Sequence, residues 1–387
     1  MNVLRPTIAA VIALAACACS SSPVNPGDDG GVDGAPPAEG GADGGGGSVA
    51  KGPTKGSAIA VSEDDSVIVT CNRDAGSVSV LTMTYPQTGA PTSKKVDVDL
   101  GVGSEPWQVA LSADGNTAYV VLRKSQKLVK IGGLRTAPQK AGEVAVGSEP
   151  TGVALSPTGA SAFVANWVDG TVSQIDTAAM SVKSTIDLNA TLAESMLLGG
   201  VAARPSLAHP RSIAITNNGD ANDGDETVYV TEYFAQRTEP EAADGQNADT
   251  SKAGYVYRFK IADAKASRIK LGPIADIGFK DESGAAAGCF PNQLQSIAVA
   301  GKYAYVVSIC ASPKGPTGPK VTATTCTTAQ DCTGLVDPVC VKVDASSASS
   351  VCVDTASAKT STQPVISVID TEAGTEVTAG TANLNAK

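Results

Sequence analysis

Glu105, Trp107, Glu149, Thr151, His209, Arg211 and Asn292 carry the side chains best suited to chemistry, and each stands next to or one residue from a repeated proline. Glu105-Pro106-Trp107, Glu149-Pro150-Thr151 and His209-Pro210-Arg211 share one pattern, and Asn292 follows Pro291. Two carboxylates, an imidazole, a guanidinium and an indole around a common axis could bind a small polar ligand or a cation. The bland alternative is that Glu-Pro only turns the chain into a strand. His209 is the only histidine. His-rich metal sites are therefore excluded, and Ser-His-Asp catalysis would depend on His209 alone. No catalytic residue is assigned, and no Cys-x-x-Cys-His occurs, so covalent haem has no attachment motif in this chain.

A second oxygen-rich stretch holds Asn218, Asp220, Asn222, Asp223 and Asp225 around Gly224. Calcium loops alternate carboxylates and amides about a glycine, but the register here departs from Asp-x-Asp-x-Asp-Gly by one residue. A calcium loop and a solvated acidic turn are both open readings. No other cofactor is indicated.

The elements that would position these residues are short strands in a repeat. Gly103-Ser104-Glu105-Pro106 returns 44 residues later as Gly147-Ser148-Glu149-Pro150. Each copy leads into an apolar triplet, a Ser-x-x-Gly turn (Ser112 to Gly115, Ser156 to Gly159) and a second apolar run. Self-similarity at this period, built from strands, marks a blade array. Related units begin near Ser57, His209 and Phe290. They predict blades near 57–100, 103–146, 147–188, 207–277 and 289–384, each a four-stranded antiparallel sheet. The first strand of a propeller blade lines the central channel, so the residues beside the prolines should ring one mouth. The fold class expected is all-β, a β-propeller, with a helix only around Thr191–Val201.

Pro-x-x-Val-Ala-Leu-Ser followed by Gly and Tyr-Val resembles the YVTN-type propeller repeats of bacterial and archaeal surface proteins. Tyr229-Val230-Thr231-Glu232 and Phe163-Val164-Ala165-Asn166 come nearest to the tetrapeptide. The resemblance implies seven blades where about five are recognisable. A truncated gene product is favoured over an open array, which would leave two blade faces wet and apolar.

Residues 1–16 read as a signal peptide: Arg5, then an apolar core from Ile8 to Ala16, too short to span a bilayer. Leu14-Ala15-Ala16-Cys17 resembles the bacterial lipobox, which implies lipidation of Cys17; an ordinary signal cleaved near Ala16 or Ala18 is the alternative. Residues 17–56, dominated by Gly, Pro, Asp and Ala, form an expected disordered tether, and 57–387 the propeller. The chain is thus expected to be an exported lipoprotein, outer-membrane by its Ala18, held to the membrane through its N-terminal lipid. The net charge of −10 speaks against a nucleic-acid partner.

Nine cysteines in an exported chain suggest disulfides. Cys289 and Cys310 bracket two adjacent strands of the last unit and are paired. Cys326, Cys332, Cys340 and Cys352 lie in an insertion, 311–363, and form two bridges of undetermined connectivity. Zinc is disfavoured, because the spacings contain no Cys-x-x-Cys. The function read from all this is a ligand- or protein-binding scaffold at the cell envelope, with an unknown envelope protein or small polar ligand as partner. Through the resemblance, the alternatives are the recognition part of a redox system with a cytochrome c or peroxidase-type domain or partner, and a lactonase-like hydrolase.

Overall fold

The computed structural model describes residues 48–194, 202–279, 285–315, 320–335, 338–343, 346–354 and 361–385. After a two-residue strand, β1 (Thr54–Lys55), blade one contains β2 (Ile59–Val61), β3 (Val67–Asn72), β4 (Ser77–Thr84) and β5 (Thr92–Asp99). Blade two has β6 (Pro106–Leu111), β7 (Thr117–Leu122), β8 (Lys127–Gly132) and β9 (Gln139–Ala145). Blade three has β10 (Pro150–Leu155), β11 (Ser161–Asn166), β12 (Thr171–Asp176) and β13 (Ser181–Asp187). Helix α1 (Leu188–Ala193) precedes blade four, which has β14 (Pro210–Ile215), β15 (Thr227–Arg237), β16 (Lys252–Lys260) and β17 (Ser267–Leu271). Blade five runs through β18 (Phe290–Ala300) and β19 (Tyr303–Ala311). An inserted sheet follows, made of β20 (Lys320–Cys326), β21 (Pro338–Lys342) and β22 (Ser350–Asp354). The blade then resumes in β23 (Thr362–Asp370), β24 (Thr375–Glu376) and β25 (Ala382–Asn383). Neighbouring strands in every sheet are antiparallel.

The first hairpin of each early blade is closed by the repeated serine. Ser62, Ser112 and Ser156 each accept, through Oγ, the backbone N–H five residues on. Their carbonyls accept from Asp65, Gly115 and Gly159, all in the left-handed region. Glycine tolerates that region without steric cost, which explains its recurrence in the turn. Thr216 plays the same part in blade four, where Thr227 N–H bonds to its Oγ1 across the insertion.

Packing follows the two-faced nature of each sheet. On β7, Ala118, Val120 and Leu122 face blade one, joining Val67, Val69, Val78 and Val80. Tyr119 and Val121 face blade three, against Val153, Leu155, Val164 and Ile175. The same alternation seats Phe163 and Val172 against Ile213, Val230 and Phe259, and Tyr229 and Leu271 against Ile297 and Val306. Because side chains alternate across a strand, an all-apolar strand can serve two neighbours, and strands sandwiched this way read as continuous apolar runs. Four such cores join five blades in succession. At the two ends the corresponding faces are open: Ile59 and Val61 on blade one, and Tyr305, Val307 and Ile309 on blade five, are exposed. The array is an open propeller.

Two boundaries differ from expectation. The tether assigned to 17–56 gives way to bound chain before Gly56. Ala50 N–H bonds to Pro157 O at 2.8 Å, β1 pairs with β14, and Ser57 pairs with Val109. A Gly/Pro-rich composition suggested no burial, but backbone hydrogen bonds need no apolar side chains. The helix begins earlier than Thr191 because Asp187 caps it, accepting from Asn189 and Ala190 N–H; 195–201 lie outside the described residues.

The disulfides are Cys289–Cys310, Cys326–Cys340 and Cys332–Cys352. The four insertion sulfurs thus staple a sheet with almost no core of its own. Cys17 lies outside the described residues. No helix among the described residues is long and apolar enough to cross a membrane.

Candidate ligand-binding mouth

Blade entrances share one construction. The proline of the inner strand pairs across the hairpin with a residue of the second strand: Pro106 with Leu122 and Pro150 with Asn166, the last residues of β7 and β11, and Pro210 with Glu232 inside the longer β15. The register then slips immediately after each proline, a bulge that re-aims the side chain beside it. The residue after that partner donates its N–H to the carbonyl before the proline: Arg123 to Glu105, Trp167 to Glu149, Tyr233 to His209. Two side chains per blade, one from each strand, are thereby brought to the same rim.

The rim residues converge on Trp107. Arg73, Arg123 and Arg211 place their guanidinium carbons 3.6, 4.9 and 5.1 Å from its ring centre. Arg123 is bound to both carboxylates, at 3.7 Å to Glu105 and more closely to Glu149. Its Nε is buried without a hydrogen-bond partner. Arg211 also approaches Trp167 and Tyr233, and its guanidinium is pushed down from its ordinary range by burial and by repulsion from Arg123 and Arg73. Beside it, Trp167, His209, Tyr233 and Phe234 pack edge-on, with ring centres 4.8–5.9 Å apart, the arrangement aromatic quadrupoles prefer.

His209 is held neutral-leaning, because burial pushes its imidazole down. Its Nδ1 lies 3.9 Å from Glu232. Glu232 is completely buried; it accepts from His209 N–H at 2.9 Å and from the Tyr257 hydroxyl at 2.8 Å. Those bonds favour the carboxylate, but desolvation outweighs them and pushes the group up to about 7.

Of the seven sequence candidates, Glu105, Trp107, Glu149, His209 and Arg211 meet at this rim. Thr151 does not face it: it is buried and donates to Pro210 O and Arg211 O, tying blade three to blade four. Asn292 accepts from Ala235 N–H and so fastens the part of β15 that carries Phe234. Arg73, Arg123, Trp167, Tyr233, Phe234 and Glu232 were missed as site residues. Arg73, Arg123 and Trp167 follow a second strand, and Glu232 and Tyr233 hold the matching places within β15; in blades two to four antiparallel register alone puts such residues beside the repeated proline.

The acidic insertion is differently employed. Asp223 accepts from Thr158 N–H at 3.0 Å and from its hydroxyl, latching blade four to blade three. Asp220 accepts from Asn222 N–H, and Asn218 bridges Asp220 and Asp225. Among the described residues, Asp220, Asp223 and Asp225 do not converge as a ligand set; the only grouping of that kind is made of disulfide sulfurs. A cleft of about 820 Å³, lined by Arg258, Lys260, Lys302, Glu226 and Glu372 among others, lies beside this insertion. It mixes both signs of charge and gathers no comparable constellation.

No family model matches the chain, and no curated protein matches it. Solved structures do. The hydrazine synthase of Kuenenia stuttgartiensis is 19% identical, with 66% of this chain and 75% of that one covered, at a TM-score of 0.36. A putative 6-phosphogluconolactonase from Bacteroides uniformis is 15% identical over 55% of this chain and 54% of its own, at 0.36. A protein from Lactobacillus plantarum is 14% identical over 65% and 66%, also at 0.36. The chain thus spans about half the length of the putative lactonase. These likenesses concern fold and carry nothing about activity.

Proposed function

We propose that this chain is a YVTN-type propeller lipoprotein, anchored at the cell envelope through Cys17, that binds a small solute or partner group at the mouth around Trp107. The observation that carries the reading is the convergence of three arginines and both tryptophans of the chain on one rim. Concave sites that mix aromatic faces with a few fixed polar groups are the usual form of ligand sites. The hydrolase alternative is the weaker one, because Arg123 occupies Glu105 and Glu149 together and neither is left as a free acid or base.

A thermal-shift screen of cationic, neutral and anionic solutes, on the wild type and on Trp107→Ala, tests the mouth. Compounds should raise the melting temperature of the wild type and not of the variant. Equal stabilisation of both proteins would move binding elsewhere and end the proposal. Metabolic labelling with radioactive palmitate, lost in Cys17→Ala, tests the anchor.

A further inference from the structure

We propose that the mouth is selective for anions, and that its ligand presents a carboxylate or phosphate group to Arg73 and Arg211 beside Trp107. This rests on the mouth being a binding site, and it specifies the chemistry of what binds.

A cation would need either an indole face or a free carboxylate. The approaches to Trp107 are already taken by guanidiniums, the nearest 3.6 Å from its centre. Both rim carboxylates are engaged by Arg123. Charge at the exposed rim is therefore unbalanced: three guanidiniums face two carboxylates, while behind them Glu232 is fully buried and pushed up to about 7, and the neighbouring imidazole is held toward its neutral form by burial. This surplus occurs in a chain whose net charge is −10.

The unbalanced groups are also the unbonded ones. Among the described residues, Arg73 and Arg211 donate no hydrogen bond, and no carboxylate lies within ion-pair distance of either. Stacking on an aromatic ring fixes a guanidinium's plane while leaving its N–H donors free at the edge. Two such unpaired groups beside one indole offer charge-assisted donors to an oxyanion. An anion there would also relieve the repulsion that Arg123 and Arg73 exert on Arg211. Further along the same inner strands the segment 54–57 is bonded to blades two and four, Ser57 to Val109 and Lys55 to Ala214.

Trp107 and Trp167 are the only tryptophans, so tryptophan emission, excited at the red edge where tyrosine does not absorb, reports this rim alone. The full-length protein in detergent is titrated with inorganic phosphate and, separately, with tricarballylate, at ionic strength held constant with sodium chloride. A saturable change with one or both is expected, and which of the two it is distinguishes phosphate from carboxylate chemistry. Arg211→Gln and Arg73→Gln should each weaken it at least tenfold. Arg211→Lys, which keeps charge but loses the guanidinium, should weaken it less. Arg135→Gln, whose partner is Asp64 on the opposite rim, should leave it unchanged. Circular dichroism melts of each variant separate lost binding from lost folding. The inference is overturned if neither anion exceeds the chloride control, or if folded Arg211→Gln responds like the wild type. Neutral or cationic hits in the thermal screen, with no anion response, would overturn it while leaving the mouth as a binding site.

Discussion

Arg73 of blade one lies over the indole of Trp107 of blade two, with its guanidinium carbon 3.6 Å from the ring centre. It leaves the end of β3, and Trp107 sits in the bulge after Pro106, so the contact joins two blades at the rim. Because Arg73 is exposed, its energetic share is small. Arg73→Gln should lower stability by about 0.5–1 kcal/mol and shift tryptophan emission, both measurable in one urea titration. An unchanged emission spectrum would mean that the stack is not populated.

Glu232 makes stability depend on pH. Its carboxyl ordinarily loses its proton near 4.5, but in the folded protein it does so at about 7. Between those values the folded state holds a proton that the unfolded state has released, so this group's contribution is full below 4.5 and is lost as pH rises through 7. The difference corresponds to about 3 kcal/mol. His209, pushed down, acts in the opposite sense at the acid end, so the useful comparison is between wild type and Glu232→Gln. The variant should gain relative stability from pH 5 to pH 8 in urea unfolding; parallel curves would refute the assignment.

Gly56 stands where a Cβ would lie 2.4 Å from Val153 O and 2.8 Å from a Val153 methyl. Gly56→Ala should force the segment off the inner strands, costing about 1–3 kcal/mol as other overpacked sites do. Hydrogen exchange at Lys55 and Ser57 should accelerate while that of Val120 and Val164, within the blades, stays slow.

The three bridges should differ in consequence. Cys289–Cys310 joins the first and second strands of blade five beside a buried cluster with Ile277 and Val365. Replacing both by Ala should cost about 2–4 kcal/mol and lower the main melting transition. Replacing Cys332 and Cys352 should open only the inserted sheet, detected as new protease cuts between Thr327 and Val351 with the main transition unmoved.

Much of this architecture was readable from the repeated Pro, strand, Ser-turn and strand, because each of those features is a local backbone requirement. Glu105, Trp107 and Arg211 could be placed at a rim on that basis. Arg123 and Trp167 could not be singled out by residue type, since their role arises from pairing across a hairpin; the register of Pro106 with Leu122 was the missing inference. Thr151 was misjudged for a related reason: a bulge can turn a side chain into the neighbouring blade as readily as toward solvent. The bonds made by 50–57 were hidden altogether, because a composition poor in apolar residues says nothing about main-chain pairing with a partner more than a hundred positions away.

That distant pairing has a kinetic corollary. Thr54 meets Ile215, so a segment synthesised before all five blades cannot complete its seat until blade four exists. Closing so long a loop comes late and is entropically expensive. Until blade four emerges, β1 has no partner strand, and during that interval the nascent protein is most exposed to proteases and to mispairing with its siblings.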